Sequence, residues 1–291
     1  MATTKNYIIK SLSVAGRGNR VYKAGQIVPE TAFYHANIQR LIDNGSIAES
    51  LGEMKKIEGK LKVAIVSAVW KRPEVFEMFA KGIKHLIDNM DIEFTVVIAG
   101  SEWQTSQKMV EKHGFNYIEI PNQPLAAKHN STTFACQFLD VDYVLCLGSD
   151  DIISLELMKE YEINMRNGFD FIGVTDFYFY DTLSKKYAYW GGYREKWRLN
   201  HTCGAGRIIS ARLMAHWEWM PWENKHSKIL DNSMEGNLAK ISHSKKIFSL
   251  KEKGLFALDI KSSTNMTPFQ LWDNTEFIEN KEISNHFKYI F

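Results

Sequence analysis

The residues best suited to chemistry are Gly148-Ser149-Asp150-Asp151, which end the apolar run Tyr143-Val144-Leu145-Cys146-Leu147. Two adjacent carboxylates repel one another, and such a pair usually needs a cation. Carboxylate oxygens suit Mg²⁺ or Mn²⁺, and both ions also take diphosphate oxygens. An ion held by Asp150 and Asp151 would neutralise charge on a departing diphosphate. The bland alternative is a strand-to-helix turn, in which Asp150 or Asp151 caps a helix starting near Ser154.

Other candidates lie in loops before and after this motif. Trp70-Lys71-Arg72, Gly100-Ser101-Glu102 and Asn122 to Asn130 all follow strand-like runs. Lys128 could meet a phosphate as a point charge, or could be a solvated helix residue. Asp231, in Leu230-Asp231-Asn232-Ser233-Met234-Glu235, is a candidate general base that takes the proton of an attacking hydroxyl, with Glu235 next in line. Asp231 could equally cap a helix. Trp190-Gly191-Gly192-Tyr193 and Trp217 to Trp222 are dense in aromatics, which pack on the C–H faces of sugars or simply fill a core.

These residues need a frame. Leu61 to Val69 is an apolar, β-branched run, as in a strand buried on both faces. Pro73 can open a helix whose apolar face is Phe76, Phe79, Ile83, Leu86 and Ile87. Strands follow at 93–99, 116–120 and 141–147, with helices at 104–112 and 126–138 between them. Alternating strands and helices predict an α/β fold with a mostly parallel sheet flanked by helices. Its ligand site should lie beyond the C-terminal strand ends, where the candidate loops gather. Residues 1–50 read as a separate small α+β domain, with strands at 7–12 and 21–28 and a helix from Ala36 to Asn44 stopped by Gly45. Residues 51–60 read as a linker and 61–291 as the main domain.

The order of these segments resembles GT-A glycosyltransferases of the family 2 type, with a Rossmann-like sheet. Residues 142–152 resemble their DxD motif, with Gly148 in place of the first Asp and Asp150 at the usual metal position. The resemblance implies a transferase that moves a sugar from a UDP- or GDP-type nucleotide diphosphate sugar to an acceptor, with Mn²⁺ or Mg²⁺ as cofactor. It implies a donor nucleotide site of Ala68, Val69, Arg72, Ser101, Glu102, Lys128, Asn130, Ser149 and Asp150. It implies a metal site of Asp150 and Asp151, and acceptor or sugar contacts at Trp190, Gly204 and Trp222. Asp231 matches the base of inverting members. A late segment often adds a metal or diphosphate contact, frequently a His. Here Asp259 to Asn265 holds none, and Asp259 or Lys261 could substitute. The acceptor would be a glycan, a protein or a modified DNA base. Residues 7–50 resemble, more weakly, a domain of some bacteriophage proteins, which implies virion docking through residues 1–50.

Composition narrows the field. Lys plus Arg number 36 against 34 Asp plus Glu, a net charge of +2, so nothing marks a nucleic-acid coat or polybasic anchor. No apolar run reaches the roughly 18–20 residues of a membrane span. Met1 to Asn6 lacks a signal-peptide core. Cys136, Cys146 and Cys203 form no CxxC pair, which argues against zinc or a disulfide framework. The expected compartment is cytoplasmic, the host's if the chain is phage-encoded, or the virion. Two other classes compete. One is a non-catalytic phage structural or binding protein with a degenerate GT-A domain, which the missing first Asp favours. The other is a nucleotidyltransferase, which the lack of Gly in the loop after the first strand disfavours.

Overall fold

The computed structural model describes residues 5–199, 201–263, 265, 275–278 and 281–291. Thr264, which falls in the candidate segment Asp259 to Asn265, lies outside them, as does Asn200. The amino-terminal unit comprises β1 (Asn6–Ile9), β2 (Ser13–Ala15), β3 (Val21–Lys23), β4 (Ile27–Pro29), α1 (His35–Asp43) and β5 (Ile47–Ser50). The strand expected at 21–28 is broken into β3 and β4 because Gly25 turns the chain at φ 83°. Its core is Tyr7, Ile9, Val28, Phe33, Ile38 and Ile47 with their neighbours.

The main body contains β6 (Leu61–Ala68), α2 (Pro73–Asn89), β7 (Ile92–Gly100), α3 (Gln104–Glu111), β8 (Asn116–Glu119), α4 (Leu125–Cys136), β9 (Tyr143–Cys146), β10 (Asp151–Ile153), α5 (Leu155–Arg166) and β11 (Phe171–Val174). It continues through β12 (Phe177–Asp181), β13 (Lys186–Trp190), β14 (Arg207–Ser210), α6 (Ala211–His216), α7 (Leu230–Leu238), β15 (Ile241–Ser242), β16 (Lys245–Phe248), α8 (Leu250–Lys253), β17 (Ala257–Lys261), β18 (Thr275–Ile278) and α9 (Lys281–His286). The central sheet has the order β16-β11-β14-β9-β6-β7-β8. Every pairing in it is parallel except the two made by β14. The chain is therefore an α/β protein with a mostly parallel sheet between helices.

Side-chain alternation explains the layering. On β6, Leu61, Val63 and Ile65 face the core formed with α2, α3 and α5. Ala64 and Val66 face the opposite core, formed with α4, α6 and α7. Along α2, Phe76, Phe79, Ile83 and Leu86 are buried as the helical spacing predicts. Ile87 is not: it is 39% exposed, because it lies at the margin of the face and α2 ends two residues later. No helix among the described residues is long and apolar enough to cross a membrane.

A second sheet, β10-β17-β12-β13-β18, leans on the carboxyl edge of the first. It exists because the chain does not enter a helix after the acidic pair. Asp151 instead begins β10, which pairs antiparallel with β17 and sets Asp151 opposite Asp259. The helix cap in this region is Ser154, whose Oγ accepts from the Leu157 amide at 3.2 Å. Asp150 and Asp151 are thereby left free of the capping role that the sequence alone allowed them.

The amino-terminal unit is joined to the body by more than the chain. β5 pairs in parallel with β15, completing a four-stranded sheet. Glu49 meets His216 at 3.2 Å, and Arg212 Nη1 donates to the carbonyls of Leu51 and Glu53. The stretch expected to be a linker is bound to the body as well, with the Ile57 amide donating to the Arg166 carbonyl at 3.0 Å. We expect residues 58–291 alone to be soluble but to melt several degrees below the full chain, since each kcal/mol lost moves the midpoint by roughly 2–4 °C in a domain of this size. Scanning calorimetry of both proteins checks this. Equal midpoints would show that these contacts add nothing to the body's stability.

Candidate active site

The four candidate loops meet at the carboxyl edge of the sheet. Pro73 starts α2 and disfavours right-handed helical backbone at the residue before it. Arg72 takes a left-handed conformation instead, as does Lys71. Glu102 holds this corner by accepting the Lys71 amide at 2.7 Å. The corner aims the guanidinium of Arg72 across the sheet edge. Its Nη1 donates to Asp150 Oδ2 at 2.7 Å and its Nη2 to Ser149 Oγ at 3.0 Å. Asn265 Nδ2 also donates to Asp150 Oδ2, at 2.8 Å.

Asp150, Asp151 and Asp259 bring carboxylate oxygens within 4.8 Å of one another. Asp151 is buried, and burial pushes its pKa well above the usual carboxylate value, with Asp259 and Asp150 adding to the effect. Burial likewise pushes Asp259 up to about 6 against the opposing pull of Lys261, whose Nζ lies 2.6 Å away. Lys261 is itself held above its ordinary range: burial opposes this, but Asp259, Asp150 and Asp151 outweigh it. The triad thus carries two built-in cations, Arg72 on one side and Lys261 on the other.

Gly148 has a steric reason to be glycine. A Cβ there would lie 2.7 Å from both Asp150 Oδ1 and Asp151 Oδ2. A carboxylate at this position would collide with the pair that is present. The third acid comes from β17 instead, and Asp259 Oδ1 is buried without a hydrogen-bond partner. The donor set is three hard oxygens, which fits Mg²⁺ or Mn²⁺.

Of the expected nucleotide contacts, Ala68, Arg72, Ser149 and Asp150 line one pocket of about 240 Å³, together with Lys261 and Asn265. The others sit behind it. Lys128 is neither solvated nor turned to this pocket. It is buried, and its Nζ donates to the Val69 carbonyl at 2.6 Å, Ser101 Oγ at 2.9 Å and Asn122 Oδ1 at 3.0 Å. Burial brings its pKa down to about 8, with Glu102 and Glu119 opposing. Lys128 thereby ties three loops together. Asn130 is buried too, donating to the Trp222 carbonyl and Asn224 Oδ1, both at 2.7 Å. Beside them, burial and then Lys128 lower the imidazole of His129 to about 4, so it is uncharged at neutral pH.

Asp231 lies in the first turn of α7 but does not cap it: the residue before the helix is Ile229, with no side-chain cap bond. The Asp231 carboxylate is held from two sides. Tyr193 donates its hydroxyl to Oδ2 at 2.8 Å, and Arg207 Nη1 stands 3.5 Å from Oδ1. Gly204 is packed against it, for a Cβ there would lie 2.3 Å from Oδ1. Burial, then Asp231, raises the Tyr193 phenol well above its ordinary pKa, so Tyr193 remains a donor. Glu235, the second-choice base, is engaged elsewhere. It accepts from Thr202 and pairs with Lys245 at 3.2 Å. Burial raises its pKa, but Lys245 and Arg207 outweigh that and keep it below the usual value.

A cleft of about 590 Å³ connects the parts. Asp151, Asp259, Asp231, Trp190, Tyr193 and Gly204 all line it. Trp222 lines a smaller cavity of about 180 Å³ with His129, Gly204 and Asp231. Tyr193, Arg207 and Asn265 were not singled out by the sequence reading. Arg207 carried a signal, a charge opening the apolar run Ile208-Ile209; Tyr193 and Asn265 carried none apart from the segments that hold them.

No protein-family model matches the chain, and no curated protein does. Among solved structures, it is similar to S. aureus TarS 1–349 in complex with UDP-GlcNAc, at 12% identity and TM-score 0.48, over 70% of this chain and 60% of that one. It is similar to the inositol-1-phosphate CTP transferase from T. maritima, at 13% identity and TM-score 0.48, over 80% of this chain and 98% of that one. The chain thus spans about 60% of the TarS chain that it matches. These are similarities of backbone arrangement.

The collision at Gly148 yields a test. Gly148→Ala should push the carboxylate ends of Asp150 and Asp151 aside, with little loss of melting temperature because side-chain rotation absorbs the shift, and should weaken Mn²⁺ binding at least tenfold. Thermal melts and Mn²⁺ titration by electron paramagnetic resonance measure the two effects. Wild-type Mn²⁺ affinity in this variant would mean that the three carboxylates do not form one cation site.

Proposed function

We propose that the chain is a GT-A-like glycosyltransferase that moves a sugar from a UDP- or GDP-type nucleotide diphosphate sugar to an acceptor hydroxyl, with Mn²⁺ or Mg²⁺ as cofactor. The observation that carries this reading is the convergence of Asp150, Asp151 and Asp259 at the sheet's carboxyl edge, between a pocket holding Arg72 and Lys261 and a cleft that Asp231 also lines. A divalent cation held by the three carboxylates would neutralise charge on the leaving diphosphate.

The chain's own residues divide the remaining work. Arg72 and Lys261 place two positive charges at the donor pocket, where they can meet phosphate oxygens. Ser149 and Asn265 orient the groups around Asp150. Asp231 accepts the proton of the attacking hydroxyl, and an inverting displacement needs one such base. Tyr193 and Arg207 hold the Asp231 carboxylate still, so that its position is set before substrate arrives. The non-catalytic alternative drew its strength from the missing acid at 148. It loses that support, because Asp259 brings a third carboxylate to Asp150 and Asp151 without an acid at 148.

Asp150→Ala should keep its fold and lose Mn²⁺-dependent binding of UDP and GDP, read as the disappearance of the nucleotide-induced rise in melting temperature. Undiminished stabilisation by nucleotide and Mn²⁺ would remove Asp150 from the site.

Asp231→Asn should bind nucleotide as wild type does, while donor hydrolysis with water as acceptor falls by roughly 10²–10⁴, the usual cost of losing a general base. Full hydrolytic activity in this variant would end Asp231's role as the base. Failure of wild type to bind any nucleoside diphosphate with Mn²⁺ would end the transferase reading altogether.

A further inference from the structure

The cleft is lined by charges of both signs. Asp151, Asp259 and Asp231 supply carboxylates, and the segment after β13 contributes Arg194 and Arg198. Among the described residues, neither arginine has a carboxylate partner within ion-pair distance, although Glu195 lines the same cleft. Arg198 lies flat against Tyr193, its Cζ 3.3 Å from the ring centroid. That ring's hydroxyl is the group that holds Asp231. The Arg198 guanidinium therefore stands one phenol ring from the candidate base. Its Nε is buried and has no hydrogen-bond partner among the described residues. A buried charged donor left unsatisfied is costly, and an anion oxygen from a ligand would satisfy it.

The donor side does not need these arginines, since Arg72 and Lys261 already line the pocket beside Asp150. We propose that the acceptor is an anionic hydroxyl compound, a phosphate ester, whose phosphate is held by Arg194 and Arg198 while its hydroxyl faces Asp231. This rests on Asp231 being the base of the reaction proposed above. A guanidinium offers donors in a planar fork that matches phosphate oxygens in pairs, and two on one segment can bracket the group. Trp190 and Tyr193 then form an aromatic wall along the body of the acceptor. The anion is drawn to the two arginines and repelled by the carboxylates, and Tyr193, stacked under Arg198 and bonded to Asp231, sets the short span from phosphate to hydroxyl.

The test uses glycerol 3-phosphate as probe, with uncharged glycerol and glycerate as controls, each titrated into the full chain by calorimetry with and without UDP and Mn²⁺. Wild type should bind the phosphate ester and not glycerol, with an affinity that falls as salt rises, and UDP should not displace it. Glycerate should bind more weakly than the phosphate. Arg194→Ala and Arg198→Ala should each weaken the probe about tenfold, as expected for loss of a charge-assisted hydrogen bond. Arg194 is exposed, so its variant keeps the test valid if Arg198→Ala disturbs folding. The proposal falls if glycerol binds as well as its phosphate, if both variants keep wild-type affinity, or if UDP displaces the probe. Loss of UDP binding in wild type would instead remove the donor reading, and the probe titration would still decide whether the two arginines take phosphate.

Discussion

Three carboxylates held within 4.8 Å of one another at the end of a buried strand set the terms for the rest of this molecule. Left alone they would repel, and burial makes the repulsion worse by removing water. The protein answers with Arg72 and Lys261, one reaching from the turn before α2 and the other two residues beyond Asp259 on the same strand. Three acids against two bases leave one negative charge in excess, which is the condition for drawing in a cation. Burial first, and then the neighbouring carboxylates, push Asp151 toward protonation; burial also raises Asp259 against the pull of Lys261, while the carboxylates hold Lys261 in its charged form.

Such a cluster is useful only if its supports do not move. The strained left-handed pair Lys71-Arg72 persists because Glu102 grips one end and Asp150 the other. Behind it, Lys128 gives its three donors to three separate loops. Its charge is expensive to bury, as its lowered pKa records, so the position serves rigidity at the site more than stability of the fold. Asn130 does for the Trp222 segment what Lys128 does for the first three loops. Both residues sit on α4, so one short helix fastens the loops around the Asp150 pocket and the wall of the neighbouring cavity.

The parallel sheet was legible in the sequence because its strands are local: the run Leu61 to Val69 and the α2 face Phe76, Phe79, Ile83 and Leu86 declare themselves by spacing alone. The acidic pair was legible for the same reason. What could not be read was long-range pairing. Asp259 enters the site because β17 pairs with β10, more than 100 positions apart, and only that register sets it opposite Asp151. Lys128 misled because a lysine on a short polar helix usually faces water, and nothing nearby in the chain shows that Val69, Ser101 and Asn122 will converge on it. The capping alternative for Asp150 and Asp151 failed on a single residue, since Ser154 does that work. The apparent break at 51–60 was a true change in composition, yet β15 reaches across it, and composition carries no trace of such a pairing.

Asp231 shows how the same logic of support extends further along the cleft lining. Its carboxylate is fixed by one neutral donor, Tyr193, and faced by one cation, Arg207, which is itself buried and bound to Thr202 through both Nε and Nη2. Gly204 brings the backbone against it so closely that no side chain fits between. A carboxylate that merely capped a helix would need none of these. The arrangement keeps the Asp231 carboxylate out of the three-acid cluster, although it lines the same cleft as Asp151 and Asp259. That distinction matters chemically. Acids joined into one cluster would share a cation and lose their independence. An acid fixed by its own neutral donor stands outside that cluster, as the proton-accepting role proposed above requires of Asp231.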